Sequence, residues 1–216
     1  MLNMGEPVKG QKSYGRGLYP RFIKRLLDLL LGIISLPFIG IAHLVIALLI
    51  RSDSKGPILY SAPRVGQHGR SFIMYKYRTM YPDSPDLKEP DGSTYNAPDD
   101  PRLTRFGAIL RRNSLDELPQ VINVLKGDMS FIGPRPDLAE EVACYDGEEQ
   151  LKLDLKPGMS GYAQVYGRNA IPWHDRLALD VFYVKNQSFA LDTKVFFKTF
   201  VAVIAQEGVF QRDSGE

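Results

Sequence analysis

"LLLGIISLPFIGIAHLVIALLI", Leu29 to Ile50, decides how the rest of the chain is read. A straight helix of this run is about 33 Å long at ~1.5 Å per residue, and a bilayer core is about 30 Å thick. The run is too long for a signal peptide, and "RSDSK" behind it, Arg51 to Lys55, has no A-x-A-like cleavage site. Three features argue against a plain spanning helix. Pro37, near the middle, removes one backbone bond and crowds the preceding turn, at about 3 kcal/mol unless the helix bends. Ser35 is placed to satisfy a freed backbone group, and His43 is polar at membrane depth. Finally, both flanks are basic: Lys9, Lys12, Arg16, Arg21, Lys24 and Arg25 precede the run, and Arg51, Lys55, Arg64 and Arg70 follow it. The positive-inside bias then favours keeping both ends in the cytoplasm. A helix that enters, breaks at Pro37 and returns satisfies both flanks. A single spanning helix that tolerates its proline stays open beside it.

Outward from that segment, 216 residues suffice for one domain with its own core. Lys and Arg number 27 against 25 Asp and Glu, and a net charge of +2 gives no sign of a nucleic-acid partner. A single cysteine, Cys144, excludes an intrachain disulfide and suits a reducing, cytosolic setting. No internal repeat is visible. The expected division is a basic tail at 1–20, a re-entrant membrane helix at 21–50 and a cytoplasmic domain at 51–216 that carries whatever chemistry the chain performs.

Ile58 to Ser61 and Ser71 to Thr79 read as strands joined by the glycine-rich "PRVGQHGR", which makes a β-hairpin. Period two puts Phe72, Met74, Lys76 and Arg78 on one face, either a solvated face or a binding one. Tyr81 to Pro101 carries five prolines and many acids and reads as a long loop, of the kind that forms a lid. Arg105 to Arg112 reads as a helix, and a second helix runs to Leu125 and stops at Gly127. His174 to Lys185 is another, in which Arg176 and Asp180 stand four residues apart as a surface ion pair would. Thr193 to Ala205 is hydrophobic, with Phe196, Phe197, Phe200 and Ile204 clustered. It is either core or an interface helix with Lys194 and Lys198 snorkelling.

The chemistry concentrates in "RRNSLDELPQVINVLKGDMSFIGPRP", Arg111 to Pro136. Ser114-x-x-Glu117 matches a capping box, in which Glu117 bonds back to the Ser114 amide and Asp116 complements the helix dipole. Pro119 sits late for a first-turn proline and weakens that reading. The other reading is phosphoryl chemistry. On an α-helix Asp116 and Glu117 point about 100° apart and cannot both face one atom. They divide the work instead: one carboxylate attacks phosphorus and the other holds a divalent ion. Arg111, Arg112, Arg135 and Arg168 supply positive charge for a diphosphate and its transition state. The glycines of "LKPGMSGYAQVYGRNAIPW", Leu155 to Trp173, allow backbone amides to approach a bound group.

"DDPRLTRFGAILRRNSLDELPQVINVLKGDMSFIGPRP", Asp99 to Pro136, resembles the signature of the bacterial sugar transferases, small monotopic phosphoglycosyl transferases that act on polyprenol phosphate. The likeness extends to "MYKYRTM" (Met74 to Met80), "KPGMSGYAQVYGRN" (Lys156 to Asn169) and "LDVFYVKN" (Leu179 to Asn186). The resemblance implies an α/β fold, mainly helical with a small β-hairpin. It implies a monotopic membrane protein with an N-terminal re-entrant helix, broken at Ser35 and Pro37, and amphipathic interface helices. In the family pattern serine often directly precedes that proline, whereas Leu36 intervenes here.

The implied reaction moves a sugar 1-phosphate from a UDP-sugar to polyprenyl (undecaprenyl) phosphate and releases UMP. It takes place at the cytoplasmic face of the bacterial inner membrane, among inner-membrane lipid. Asp116 matches the nucleophile that becomes a covalent phosphosugar adduct. Glu117 matches its partner at Mg²⁺, with Mn²⁺ as the substitute. Lys76, Arg78, Arg111, Arg135, Arg168, Asn169 and Asp180 fall in the substrate-binding motifs. Larger members add spanning helices and a further domain, so the expectation here is the minimal form. Two rivals remain: a tethered nucleotide-sugar binder without turnover, and a Mg²⁺-dependent hydrolase that uses water alone. Neither the sugar nor the oligomeric state, a homodimer included, is written in the residues.

Overall fold

The computed structural model describes residues 14–15, 17–87, 95, 97, 100–167 and 171–205. Tyr19–Ile23 forms a short π-helix that runs directly into helix α1, Lys24–Asp53. Pro37 lies inside α1, which continues through it as one element rather than parting into two helices. Ser35 Oγ donates to the Gly32 carbonyl at 2.8 Å. The carbonyl that Pro37 orphans is that of Ile33, so Ser35 relieves the neighbouring position in the turn and not the expected one.

Strands β1, Leu59–Val65, and β2, Ser71–Tyr77, make the expected antiparallel hairpin, with Tyr60 opposite Lys76 and Arg64 opposite Phe72. The tight turn between them takes His68 and Gly69 through positive φ. Helix α2, Arg105–Arg112, starts at Thr104, whose hydroxyl accepts from the Gly107 amide at 3.0 Å. A 3₁₀ turn, Leu115–Gln120, leads into α3, Val121–Lys126, which ends at Gly127 in the left-handed region, as its sequence position requires.

A second sheet was not anticipated. Strands β3, Ser130–Ile132, and β4, Gly158–Ser160, pair in parallel. This is where the glycines of the later motif go. A Cβ on Gly158 would lie 2.2 Å from the Gly133 nitrogen, and one on Gly161 would lie 2.1 Å from the Gly133 carbonyl oxygen. The backbones of the two motifs approach each other, and a side chain at either position would push them apart. Helices α4 (Ala139–Ala143), α5 (Tyr162–Tyr166), α6 (Trp173–Asn186) and α7 (Phe189–Ala205) complete the chain. The described residues are thus mostly helical, with two two-stranded sheets.

Helix α1 is long and apolar enough to cross a membrane by length and composition. Both of its ends pack on the same body. At the N-terminal end, Lys24 pairs with Asp192 at 2.5 Å, Arg25 donates to the carbonyls of Val124 and Leu125, and Asp28 accepts from the Ser130 hydroxyl and the Phe131 amide. At the C-terminal end, Ile46 and Ile50 pack with Tyr77 and Leu110, and Asp53 accepts from the Phe106 amide at 2.6 Å. Between them the helix is bare: Phe38 and Ile41 are 72% and 68% exposed. Helix α7 likewise turns Phe197, Phe200 and Ile204 outward while burying Val195. Those three side chains are not core, whereas Phe196 packs against it. Lys198 instead rests over the Tyr166 ring, 4.1 Å from its centroid.

Candidate functional site

The site lies where the hairpin meets the 3₁₀ turn. Lys76, on β2, reaches the turn and pairs with Glu117 Oε1 at 2.7 Å, and its ammonium stands 4.0 Å from Asp116 Oδ2. Arg135, from the Gly133–Pro136 knot, brings its guanidinium to 3.9 Å from the same Glu117 oxygen. Arg111, in the last turn of α2, adds a charge that favours ionised Asp116. Four of the expected residues, Lys76, Asp116, Glu117 and Arg135, therefore meet directly, and Arg111 stands behind them.

The local geometry overturns two expectations. Ser114 adopts φ 55°, ψ 20° and caps nothing, while Glu117 points to Lys76. The capping-box reading fails because the left-handed serine makes no side-chain cap bond and Lys76 engages the glutamate that would have bonded back. Nor do the two carboxylates diverge beyond common reach. The tight 3₁₀ turn, with Pro119 inside it, leaves both within 4.0 Å of one ammonium.

Asp116 is 6% exposed. Burial pushes its carboxyl up to about 6, against the pull of Lys76 and Arg111, and the adjacent Glu117 charge adds to the rise. A carboxylate kept desolvated but surrounded by cations is a poorly hydrated nucleophile ready for an electrophilic phosphorus. Arg111 is itself partly buried, and desolvation lowers its pKa.

Two other expected residues lie elsewhere among the described ones. Arg78 follows the end of β2 and is not on the Lys76 face. Its guanidinium donates to the carbonyls of Ser54 and Lys55 just beyond α1, and it is 6% exposed. In this arrangement it anchors the helix exit. Asp180 is fully buried in α6 and does not form the surface pair with Arg176. It sits 3.0 Å from Lys152 Nζ and accepts from the Arg135 backbone amide at 3.3 Å. It holds the arginine's backbone. Arg168 and Asn169 lie outside the described residues, as do parts of the expected lid. That loop's described root is tied by Arg102, which pairs with Asp100 at 2.7 Å and donates to the carbonyls of Pro85 and Tyr95.

Sequence reasoning missed the support beneath Arg135. Lys152 lies between Asp180 and Asp137, and the Tyr145 hydroxyl donates to Asp137. Lys152 sits in "GEEQLKLD", a polar stretch with no motif, so nothing in the one-dimensional pattern marks it. It also missed Arg64 on β1, counted only as one of the basic flanking residues. A cleft lined by Arg64, Lys76, Glu117, Gln120, Arg135 and Gln164 opens beside the carboxylates.

A divalent ion fits the donor chemistry in part. Among the described residues no cluster of three or more His, Cys, Asp or Glu side chains is present. Mg²⁺, however, commonly takes one or two carboxylates and completes its shell with substrate phosphate and water. Glu117 and Asp116 offer that pair of hard oxygens, provided Lys76 releases Glu117.

A model described as bacterial sugar transferase matches residues 19–206. The chain belongs to the bacterial sugar transferase family. Among its relatives is a protein of Bacillus subtilis named "Uncharacterized sugar transferase EpsL", 40% identical over 189 residues, which cover 88% of this chain and 91% of that one. The "Undecaprenyl-phosphate galactose phosphotransferase" of Salmonella typhimurium is 37% identical over 201 residues, 88% of this chain and 42% of its own length. The "UDP-N-acetylgalactosamine-undecaprenyl-phosphate N-acetylgalactosaminephosphotransferase" of Aeromonas hydrophila is 38% identical over 193 residues, 87% and 45%. This sugar transferase thus spans nearly all of the first relative and under half of the other two.

Proposed function

We propose that this sugar transferase moves a sugar 1-phosphate from a UDP-sugar to undecaprenyl phosphate and releases UMP, through a covalent intermediate on Asp116. The observation that carries the reading is the Asp116 carboxyl, buried yet flanked by Lys76, Arg111 and the Arg135–Glu117 pair. The names of its relatives supply the substrate class.

In the first half-reaction an Asp116 carboxylate oxygen attacks the sugar-bearing phosphorus. A bond forms from that oxygen to phosphorus, the bond from phosphorus to the bridging oxygen breaks, and UMP leaves with the electron pair. In the second, a phosphate oxygen of undecaprenyl phosphate attacks the same phosphorus and frees the carboxylate. Lys76 and Arg135 balance the negative charge that gathers on the phosphoryl oxygens. Mg²⁺, or Mn²⁺, held by Glu117 would neutralise the diphosphate.

The test is UMP release from UDP-galactose and UDP-N-acetylgalactosamine, with and without undecaprenyl phosphate. UMP should accumulate catalytically only with the lipid, and excess chelator should stop it. Sustained release with water alone would make the protein a hydrolase, and full activity in chelator would remove the metal from Glu117.

The proposed topology is re-entrant, with the catalytic body on the cytoplasmic face of the inner membrane. A helix that crossed a core of about 30 Å would leave its ends on opposite sides. Here Lys24 and Asp53 both bond to one body, and the exposed apolar stretch lies between them. The outward rings of α7 suit the same interface. Single cysteines at Leu18 and Lys55, in a Cys144→Ser background, should both resist an impermeant thiol reagent applied outside the inner membrane. Labelling at Leu18 alone would mean a spanning helix.

A further inference from the structure

Arg64 has no role in the reaction as derived so far, yet its position is unusual. In the hairpin register Arg64 faces Phe72, Ala62 faces Met74 and Tyr60 faces Lys76. Cross-strand partners share a face, so Arg64 lies on the face that carries Lys76. Its side chain lines the cleft that contains Glu117 and Arg135. The most influential charge near it is of the wrong sign. Desolvation and then the Arg135 charge both lower its pKa, while Glu141 and Asp137 offset them only in part. No carboxylate of the described residues comes within 4.0 Å of it, and its one polar contact is to the adjacent Pro63 carbonyl at 3.0 Å. A half-buried guanidinium beside another guanidinium favours an anion, and the described residues place none within ion-pair distance of it. Two guanidiniums lining one cleft supply the forked donors that phosphate oxygens accept.

We propose that Arg64 and Arg135 form a two-guanidinium clamp for a phosphate group in the cleft that Glu117 also lines. The ligand is a phosphate ester, either the diphosphate of the nucleotide-sugar or the head of the polyprenyl phosphate. This rests on the proposed reading of the site, but the clamp can fail on its own. Arg64 is a binding residue; bond-making stays with Asp116.

The test compares wild type with Arg64→Gln and Arg64→Lys, each as the full chain in detergent or nanodiscs, after far-UV circular dichroism has shown an unchanged fold. Binding of inorganic pyrophosphate, followed calorimetrically, should weaken about tenfold or more in Arg64→Gln, since a charge-assisted contact is lost. Arg64→Lys should fall between the two, because a point charge replaces a fork. In turnover, a rise in KM for the UDP-sugar alone assigns the clamp to the nucleotide diphosphate. A rise in KM for undecaprenyl phosphate alone assigns it to the lipid head. Either result supports the clamp. Pyrophosphate affinity within twofold of wild type overturns it, whether or not wild type turns over. If wild type binds pyrophosphate but releases no UMP from any UDP-sugar, the transfer reading falls and the clamp stands on the binding difference.

Discussion

Asp116→Asn should lower UMP release by more than about 10³-fold while leaving the fold and UDP-sugar binding in place. Asparagine keeps the shape of the side chain in the 3₁₀ turn but removes the charge and the attacking oxygen. Glu117→Gln should also impair turnover, through the lost partner of Lys76 and of the proposed metal. The two variants differ in one readout. With UDP-sugar and Mg²⁺ but no lipid, wild type and slow Glu117→Gln should release at most one UMP per chain and gain a sugar-phosphate mass on the Asp116 peptide. Asp116→Asn should show neither. Adding undecaprenyl phosphate should discharge the adduct. UMP release that strictly requires the lipid, with no adduct under quench, would favour direct attack by the lipid phosphate and demote Asp116 to a base or a ligand.

The same substitution should not harm stability. Burial lifts the Asp116 carboxyl to about 6, above the ordinary value of 3.8. A carboxyl raised on folding binds more protons in the native state, so between those values its contribution to stability falls as pH rises. At pH 7 the ionised side chain costs up to about 3 kcal/mol by that difference, and asparagine does not carry this cost. In chelator, Asp116→Asn should therefore unfold at or above the wild-type temperature at pH 7, and the gap should close near pH 4. A catalytic group that destabilises its own fold is expected of a carboxylate buried for reactivity.

Much of this was legible in local pattern. The hairpin, helix α2 and the stop at Gly127 all follow from short-range signals, and the Lys76–Glu117–Arg135 meeting follows from motifs that bracket it. What was not legible depends on partners far along the chain. Arg78 shares its period with Lys76, but β2 ends at Tyr77, where the Arg78 amide bonds to the Ile58 carbonyl and the side chain swings to the end of α1. Asp180 has Arg176 at ideal helical spacing and still pairs with Lys152, because α6 buries that face against the Gly147–Asp154 turn. The glycines of the later motif suggested a ligand cradle. Gly158 and Gly161 serve the close approach at the parallel β3–β4 contact, which joins segments 28 residues apart by register and leaves no alternating signature in three-residue strands. Pro37 lies inside α1, which runs through it as one helical element.

The support under Arg135 yields the second large effect. Lys152→Met should destabilise the protein by about 3–5 kcal/mol, because it leaves the buried carboxylates of Asp137 and Asp180 without their shared cation. Methionine keeps the length and apolar stem of lysine, so the loss is electrostatic and not a cavity. Burial alone would raise Asp137, yet Lys152 and the hydroxyl of Tyr145 hold it below the ordinary carboxylate range. A lowered carboxyl stabilises the native state above its unfolded value near 4, and that stability is lost as pH falls through the folded value. Without Lys152 the sign reverses: both carboxyls rise, the native variant takes up protons, and acidification relieves it. The difference between wild type and Lys152→Met should thus be largest near pH 7–8 and shrink toward pH 4–5. Trp173, the sole tryptophan, lies 6.5 Å from the Tyr145 ring and reports on this region by fluorescence. A midpoint lowered by roughly 6–20 °C at pH 7.5 is the expected size for a chain of this length. Adding Asp180→Asn should recover part of the loss, since one buried carboxylate then remains instead of two. It should not restore turnover, because the Arg135 amide, bonded to Asp180 at 3.3 Å, loses a charged acceptor. A Lys152→Met protein within about 1 kcal/mol of wild type at every pH would mean that water already screens the three charges and that Arg135 is held by the rigid Gly133–Pro136 backbone alone.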